Sequence, residues 1–159
     1  MQNGLIMGVI FSINFLLSAS KITTLMLSTY FLAIGIVVIL YKVSIRFRDV
    51  ECQGVISYGK SFLYIILIFF YAALISTVVK YIYLRFINPE YLTTMFQETM
   101  KMLDSMKFPM SSAEIDQTEN MFKPLDFSLI YIWSNVLIGT FVALIMAAFI
   151  KKNKSVFEE

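Results

Sequence analysis

Four long apolar runs, separated by charged stretches, constrain this chain more than any other feature of its sequence. The clearest run, residues 127–150, carries no charge and exceeds the roughly 20 residues that an α-helix needs to cross a bilayer. Hydrophobic residues make up 58% of the chain and charged residues 15%, whereas a soluble domain has about 45–50% and 25%. The core of so small a globule cannot hide this excess, so we expect lipid to cover part of it.

Helical spans are predicted over residues 4–20, 24–41, 61–83 and 127–150, in a single membrane domain that covers residues 1–159. A signal peptide is the alternative for the first run, since small residues at 18–20 offer a cleavage site. No basic residue precedes that run, as a signal peptide requires, so we interpret it as a retained span. Lys80 and Arg85, near the end of the third run, are expected to extend their charges to the membrane interface.

The only sizeable polar stretch, residues 86–126, separates the third and fourth runs and is predicted to form two helices outside the membrane. We call it the lid. Seven acidic and three basic residues give it a net charge of −4. Asn88 is the expected N-cap of its first helix, with Pro89 at the first helical position, and Pro109 is expected to break that helix.

A second lid helix is predicted to begin with a capping box, because Ser111 and Glu114 have the required spacing. It is expected to run to about Phe122, before Pro124 ends it. Asp126 is then placed to cap the fourth span. Methionines recur throughout the lid and give it a flexible apolar surface suited to lipid, to the top of the bundle or to a binding partner.

Basic residues concentrate on one side of this topology: Lys42, Arg46, Arg48, Lys60, Lys151, Lys152 and Lys154. The positive-inside rule places that side in the cytoplasm, so we expect both termini inside and residues 86–126 outside. The predicted fold is an all-α four-transmembrane-helix bundle with a short two-helix extracytoplasmic segment between helices three and four.

The residue types exclude several kinds of chemistry. The chain has no histidine, which removes the commonest metal ligand and general base, and Cys52 is its only cysteine. We therefore predict no catalytic residue, no cofactor and no metal site. The lid carboxylates could perform acid–base chemistry only if two of them converged.

Residues 54–61 read G-V-I-S-Y-G-K-S and match the phosphate-binding pattern G-x-x-x-x-G-K-[ST]. A functional motif of this kind follows a buried strand and opens a soluble helix. Here a membrane span follows and no parallel-sheet pattern is present. We therefore expect no nucleotide binding and interpret the residues as a junction between a loop and a helix.

Polar residues within the spans need partners in lipid, so Asn14, Ser76 and Asn135 are expected to face the bundle interior, together with Thr77, Ser134 and Thr140. Hydrogen bonds between helices are one interpretation and a substrate path is the other. Small residues at four-residue spacing form stripes in the first span (Gly4, Gly8, Ser12) and the fourth (Gly139, Ala143, Ala147). Packing within the monomer and packing in a homo-oligomer or against a partner subunit both remain open.

Residues Arg48-Asp49, Gly54, Ile56-Ser57-Tyr58-Gly59 and Phe62 carry a family resemblance. This segment, with the order of spans around it, resembles the small integral-membrane family of Bacteroidota catalogued as domain of unknown function 4199. The loop of that family typically reads R-D-x-x-x-G-G-x-I-S-F-G-x-A-F, and Gln53 departs from it where a first glycine is usual. The resemblance implies a bacterial inner-membrane protein and transfers no activity.

The leading functional hypothesis is a non-enzymatic accessory or scaffolding subunit that binds another membrane protein. The alternative is a lipid- or small-solute-handling protein that uses the bundle interior or the cytoplasmic basic loop. In the alternative, Arg46, Arg48 and Lys60 would hold an anionic lipid headgroup, although control of topology explains the same residues. No nucleic-acid partner is expected.

Overall fold

The computed structural model describes residues 2–20 and 23–153. Within these residues the chain forms six α-helices: α1 (Gln2–Ala19), α2 (Thr23–Arg46), α3 (Tyr58–Ile82), α4 (Glu90–Ser105), α5 (Ser112–Met121) and α6 (Pro124–Ile150). Short π-helical turns extend α2 over Phe47–Glu51 and α3 over Tyr83–Ile87. Lys154, one of the basic residues on the predicted cytoplasmic side, lies outside the described residues.

Four of the helices, α1, α2, α3 and α6, are long and apolar enough to cross a membrane. This confirms the prediction of a helical chain with four helices long and apolar enough to span a membrane. Large apolar side chains cover their outer faces, including Phe31 (77% exposed), Trp133 (76%) and Phe149 (71%). So much exposed apolar surface is stable when lipid, rather than water, surrounds it.

Helix α3 lies at the centre of the bundle, between α1 and α6, and α2 packs mainly against α1. Both small-residue stripes face α3. A Cβ atom at Gly4 would lie 2.7 Å from the Cβ of Tyr71, and one at Gly139 would lie 2.5 Å from the Cγ of Phe69. The stripes are thus occupied by packing within the chain, which is how small residues bring membrane helices together.

Two apolar clusters close the ends of the bundle. At one end, which we call the loop end, Leu40, Ile56 and Ile150 pack with α3. At the other, the lid end, Phe15 and Leu84 pack with Leu92 at the start of α4. The first turns of the lid are therefore fixed to the bundle by burial.

Residues 42–60, which separate the predicted second and third spans, are mostly helical, so both helices extend beyond their predicted bounds. Helix α2 and its π-helical turn continue to Glu51, and α3 begins at Tyr58. The helix persists because Phe47 stacks on Tyr64 of α3, with ring centroids 3.8 Å apart. Only residues 52–57 form a connection without regular structure, apart from a single backbone pairing at Ile56.

The lid contains the two predicted helices, α4 and α5. The capping box is confirmed: the Glu114 N–H donates to Ser111 Oγ, and the Ser111 N–H donates to the Glu114 carboxylate at 2.7 Å. The start of α4 differs by one residue, because Pro89 takes the N-cap position and Asn88 makes no capping hydrogen bond.

The end of α4 is set before Pro109. Lys107 adopts a left-handed φ of 53°, and its N–H donates to the Asp104 carbonyl while the Phe108 N–H donates to the Leu103 carbonyl. This pair of bonds is a Schellman motif, which satisfies the last carbonyl groups of a helix. The helix has therefore already ended when the chain reaches the proline.

The start of α6 also differs from the prediction. Pro124 does not end α5 but opens α6, because a proline is compatible with the first helical position, where its missing N–H costs nothing. Lys123 becomes the N-cap residue, without a side-chain hydrogen bond, and Asp126 lies inside the first turn. The prediction that Asp126 caps the fourth span was therefore wrong.

Candidate functional site at the lid end

Lys80 of α3 is 1% exposed, and it is among the largest fully buried side chains of the described chain. Its Nζ lies 2.8 Å from the centroid of the Tyr131 ring and 5.3 Å from that of Phe15. Three helices, α1, α3 and α6, thus meet around one ammonium group. The expectation that Lys80 extends to the membrane interface was wrong.

No carboxylate of the described residues forms an ion pair with this ammonium. Within residues 2–20 and 23–153, the single ion pair is between Arg48 and Asp49, at the loop end. The faces of aromatic rings are the negative surfaces that Lys80 meets instead, and a desolvated cation–π contact contributes about 2 kcal/mol. A buried ammonium loses several kcal/mol of hydration, so these contacts offset the cost only in part.

The side chain of Lys80 is enclosed because α3 and α6 lie close to each other one helical turn before Lys80. Thr77 Oγ1 donates to the Ser128 carbonyl at 3.4 Å, a hydrogen bond between the two helices. Ala73 and Ser76 of α3 are fully buried, and their small size permits this approach. The long Lys80 stem consequently has no path along the helix surface to water.

An aromatic cluster adjoins Lys80 and connects it to the lid. The ring centroids of Phe15 and Tyr83 lie 5.5 Å apart, and each lies 6.5 Å from that of Tyr91 in α4. Burial raises the pKa of the Tyr91 hydroxyl above its usual value. The beginning of the lid therefore closes the same end of the bundle at which Lys80 is buried.

The three polar residues predicted for the bundle interior have different surroundings. Ser76 is fully buried, while Asn14 and Asn135 are half-buried. Ser76 donates to the Ala73 carbonyl and Asn135 to the Tyr131 carbonyl, both within their own helices. No hydrogen bond joins the three side chains to one another in the part of the chain that the structure describes.

Unlike Thr77, other polar residues of the spans bond within their own helix. Thr140 donates to the Val136 carbonyl, and Ser134, which is exposed, donates to the Ile130 carbonyl. A hydroxyl that bonds a carbonyl one turn earlier satisfies itself without a neighbour. Such residues can therefore face lipid.

The basic residues predicted to contact a headgroup or partner lie at the loop end. Arg48 is engaged: its Nε donates to Asp49 Oδ1 at 2.7 Å and its Nη1 to the Ile150 carbonyl at 3.3 Å. It thereby caps the end of α6. Arg46, in the last turn of α2, and Lys60, in the first turn of α3, are exposed.

The connection between α2 and α3 meets the end of α6 through backbone hydrogen bonds. The Ile56 N–H donates to the Lys152 carbonyl and the Lys152 N–H to the Ile56 carbonyl, each at 3.0 Å.

Residues 54–61, which match the phosphate-binding pattern, follow a π-helical turn and not a strand. Ser61, whose hydroxyl would face magnesium in a phosphate-binding loop, is 1% exposed and has no hydrogen-bond partner for that hydroxyl.

The far end of the lid exposes apolar side chains. Met102 is 62% exposed, Met106 66% and Phe108 61%, beyond the part of α4 that is fixed to the bundle. The two lid helices contact each other nearer the bundle, where the ring of Phe96, in the middle of α4, lies 5.6 Å from that of Phe122, just after α5. The sequence predicted that the lid methionines form an apolar surface, but it did not predict which of them remain exposed.

No three His, Cys, Asp or Glu side chains come close enough to hold a metal ion among the residues described. The family model described as "Protein of unknown function (DUF4199)" matches residues 2–152. No curated protein and no solved structure matches the chain. The family match spans the four membrane helices and the lid.

Proposed function

Because this chain belongs to the DUF4199 family, whose description assigns no activity, we propose its function from the structure: a non-enzymatic membrane subunit that binds another membrane protein. The lid is the binding element in this proposal. The observation that carries it is the exposed apolar end of α4, formed by Met102, Met106 and Phe108. We call these three residues the lid patch.

The residue types of the lid patch fit a protein partner. Methionine and phenylalanine are enriched in protein interfaces, and methionine adapts its shape to a partner. The lid patch lies at the far end of α4, away from the residues buried in the bundle, so a partner can reach it.

Our proposal places the protein in the bacterial inner membrane with both termini in the cytoplasm. The basic residues of the loop end support this orientation, since Lys42, Arg46, Lys60 and Lys152 lie at one end and the acidic lid at the other. Single cysteines at Gln117 and at Lys60, in a Cys52→Ser background, test it by labelling intact cells. A membrane-impermeant maleimide should label only the Gln117→Cys protein, and the reverse result would refute the orientation.

The partner itself is tested by purification from gently solubilised membranes. We expect one protein to co-purify in a fixed ratio. In the Met102→Ser, Met106→Ser, Phe108→Ser triple variant, the affinity for this protein should fall at least about tenfold, which corresponds to a loss of about 1.4 kcal/mol or more of binding free energy. A matched triple variant at exposed polar positions, Gln97→Ser, Lys101→Ser and Asp104→Ser, should retain it. A monomer without a partner, or a partner retained by the patch variant, would refute the proposal.

The second candidate is a lipid- or small-solute-handling protein, and the burial of Lys80 without a carboxylate favours it. An ionisable residue inside a membrane bundle commonly marks a functional position. In this case an anionic solute or headgroup would approach Lys80 at the lid end. Binding of radiolabelled lipid extract that Lys80→Met abolishes would support this candidate, and equal binding by both proteins would exclude a role of Lys80.

A further inference from the structure

A groove lies where the end of α5 meets the beginning of α6, outside the aromatic cluster and the lid patch. It is shallow and open rather than enclosed, with a volume of about 460 Å³. Six residues line it: Asn120, Met121, Asp126, Leu129, Ile130 and Trp133. We propose that this groove binds a membrane lipid whose headgroup carries a protonated primary amine, such as phosphatidylethanolamine.

The groove has a polar end and an apolar end. Asp126, Leu129, Ile130 and Trp133 follow one face of α6 at helical spacing, and this face points away from α3. A rise of 1.5 Å per residue places Trp133 about 10 Å further along α6 than Asp126. Asn120, near the end of α5, also lines the groove. The groove therefore changes from polar to apolar over the distance at which a lipid changes from headgroup to acyl chain.

The position of the groove identifies lipid as its occupant. Leu129, Ile130 and Trp133 are 47%, 44% and 76% exposed on a helix that is long and apolar enough to cross the membrane. A tryptophan near the beginning of a span is typical of the membrane interface. The apolar end therefore opens to the bilayer, while the polar end lies beside the lid.

The charge of the groove selects the headgroup. Asp126 is the only charged residue of its lining, and the surrounding lid is acidic. A carboxylate attracts an ammonium group and accepts its N–H bonds, and the Asn120 amide oxygen accepts another. A trimethylated headgroup has no N–H to donate, and an anionic headgroup is repelled. The expected order of preference is ethanolamine, then choline, then glycerol headgroups.

Trp133 is the only tryptophan of the chain, so its fluorescence reports on this groove directly. The experiment places the full-length protein in nanodiscs with equal fractions of brominated phosphatidylethanolamine, phosphatidylcholine or phosphatidylglycerol and measures quenching. We expect the ethanolamine lipid to bind about two- to fivefold more strongly than the choline lipid, the ratio that corresponds to an exposed ion pair. Equal quenching by all three, or stronger quenching by the glycerol lipid, would overturn the proposal.

The Asp126→Asn variant should lose the preference, whereas Asp116→Asn, an exposed acid of α5 outside the groove, should keep it. A preference that survives in Asp126→Asn would overturn the assignment to this groove. Wild-type protein supplies a second measurement that does not depend on the variants folding. Brominated N-acetyl phosphatidylethanolamine has lost its cationic amine, so it should bind no better than the choline lipid, and a retained preference would refute the role of the amine.

Discussion

The ammonium of Lys80 lies 2.8 Å from the centre of the Tyr131 ring, although the two residues are separated by the whole lid in the sequence. Lys80 stands in the last turn of α3, and Tyr131 stands in the second turn of α6. Their contact ties the chain together on both sides of the lid. The lid therefore begins and ends at helices that are held against each other.

Replacing Lys80 by methionine should stabilise the protein. Methionine has a similar length and no charge to desolvate, and removing a buried charge in favour of a well-packed apolar side chain often gains about 1–4 kcal/mol. Thermal unfolding in detergent, followed by circular dichroism, measures the effect. Lys101→Met, at an exposed position of α4, is the control and should change stability little. A lower melting temperature for Lys80→Met would show that the cation–π contacts outweigh the desolvation.

The two glycines that lie within α6 and α2 should respond in opposite directions to alanine. A Cβ at Gly139 would lie 2.5 Å from Phe69 Cγ, whereas one at Gly35 would meet nothing within 4 Å. Gly139→Ala should therefore cost about 1–3 kcal/mol by overpacking. Gly35→Ala should gain about 0.5–1 kcal/mol, because glycine loses more entropy in a helix. The same unfolding measurement checks both, and a Gly139→Ala protein no less stable than wild type would contradict the packing of α6 on α3.

The sequence predicted most reliably those features that depend on neighbouring residues. Two examples are the uncharged run at 127–150 and the spacing of Ser111 and Glu114. Hydrophobic length and helix capping depend only on residues that are close together in the sequence. Both appear in the structure as predicted, with α6 longer by three residues at its start. The errors at Pro124 and Asp126 are errors of helix boundary, where several residues compete for the same role.

The position of Lys80 could not be predicted, because the side chain of a lysine near the end of a span can adopt either of two arrangements. It can follow the helix surface to water, or it can be covered by a neighbouring helix. The choice depends on how closely α6 approaches Ala73 and Ser76, which is a property of the assembled bundle. The hydrogen bond from Arg48 to the Ile150 carbonyl was missed for the same reason, since its partners meet only after folding.

Gln53 should be replaceable by glycine with a gain in stability. Its φ is 53°, in the left-handed region, where a side chain costs about 1–2 kcal/mol that glycine avoids. The greater entropy that glycine loses on folding offsets part of this, so the expected gain is about 0.5–1 kcal/mol. Thermal unfolding should show it for Gln53→Gly, while Gln97→Gly, within α4, should lose about 1 kcal/mol.

This strain also gives a physical reason for a glycine at position 53, which is part of the loop pattern that the sequence resembles. The next residue, Gly54, has a φ of 81°, so two successive residues adopt left-handed backbone at the end of the π-helical turn. Equal losses of stability in Gln53→Gly and Gln97→Gly would mean that Gln53 is not strained. Its side chain would then have to compensate through contacts of its own.

Acid should loosen the beginning of α5 through Glu114. The Ser111 N–H and hydroxyl both donate to its carboxylate and lower the pKa of Glu114. Because the folded pKa is lowered, the stabilisation is fully present above the unfolded value of about 4.3 and is lost as the pH falls through the folded pKa. Hydrogen exchange, corrected for the intrinsic rate, should show weaker protection of α5 over that interval. In Glu114→Gln the protection should not change with pH there, and an identical acid response in both proteins would assign the loss to other groups.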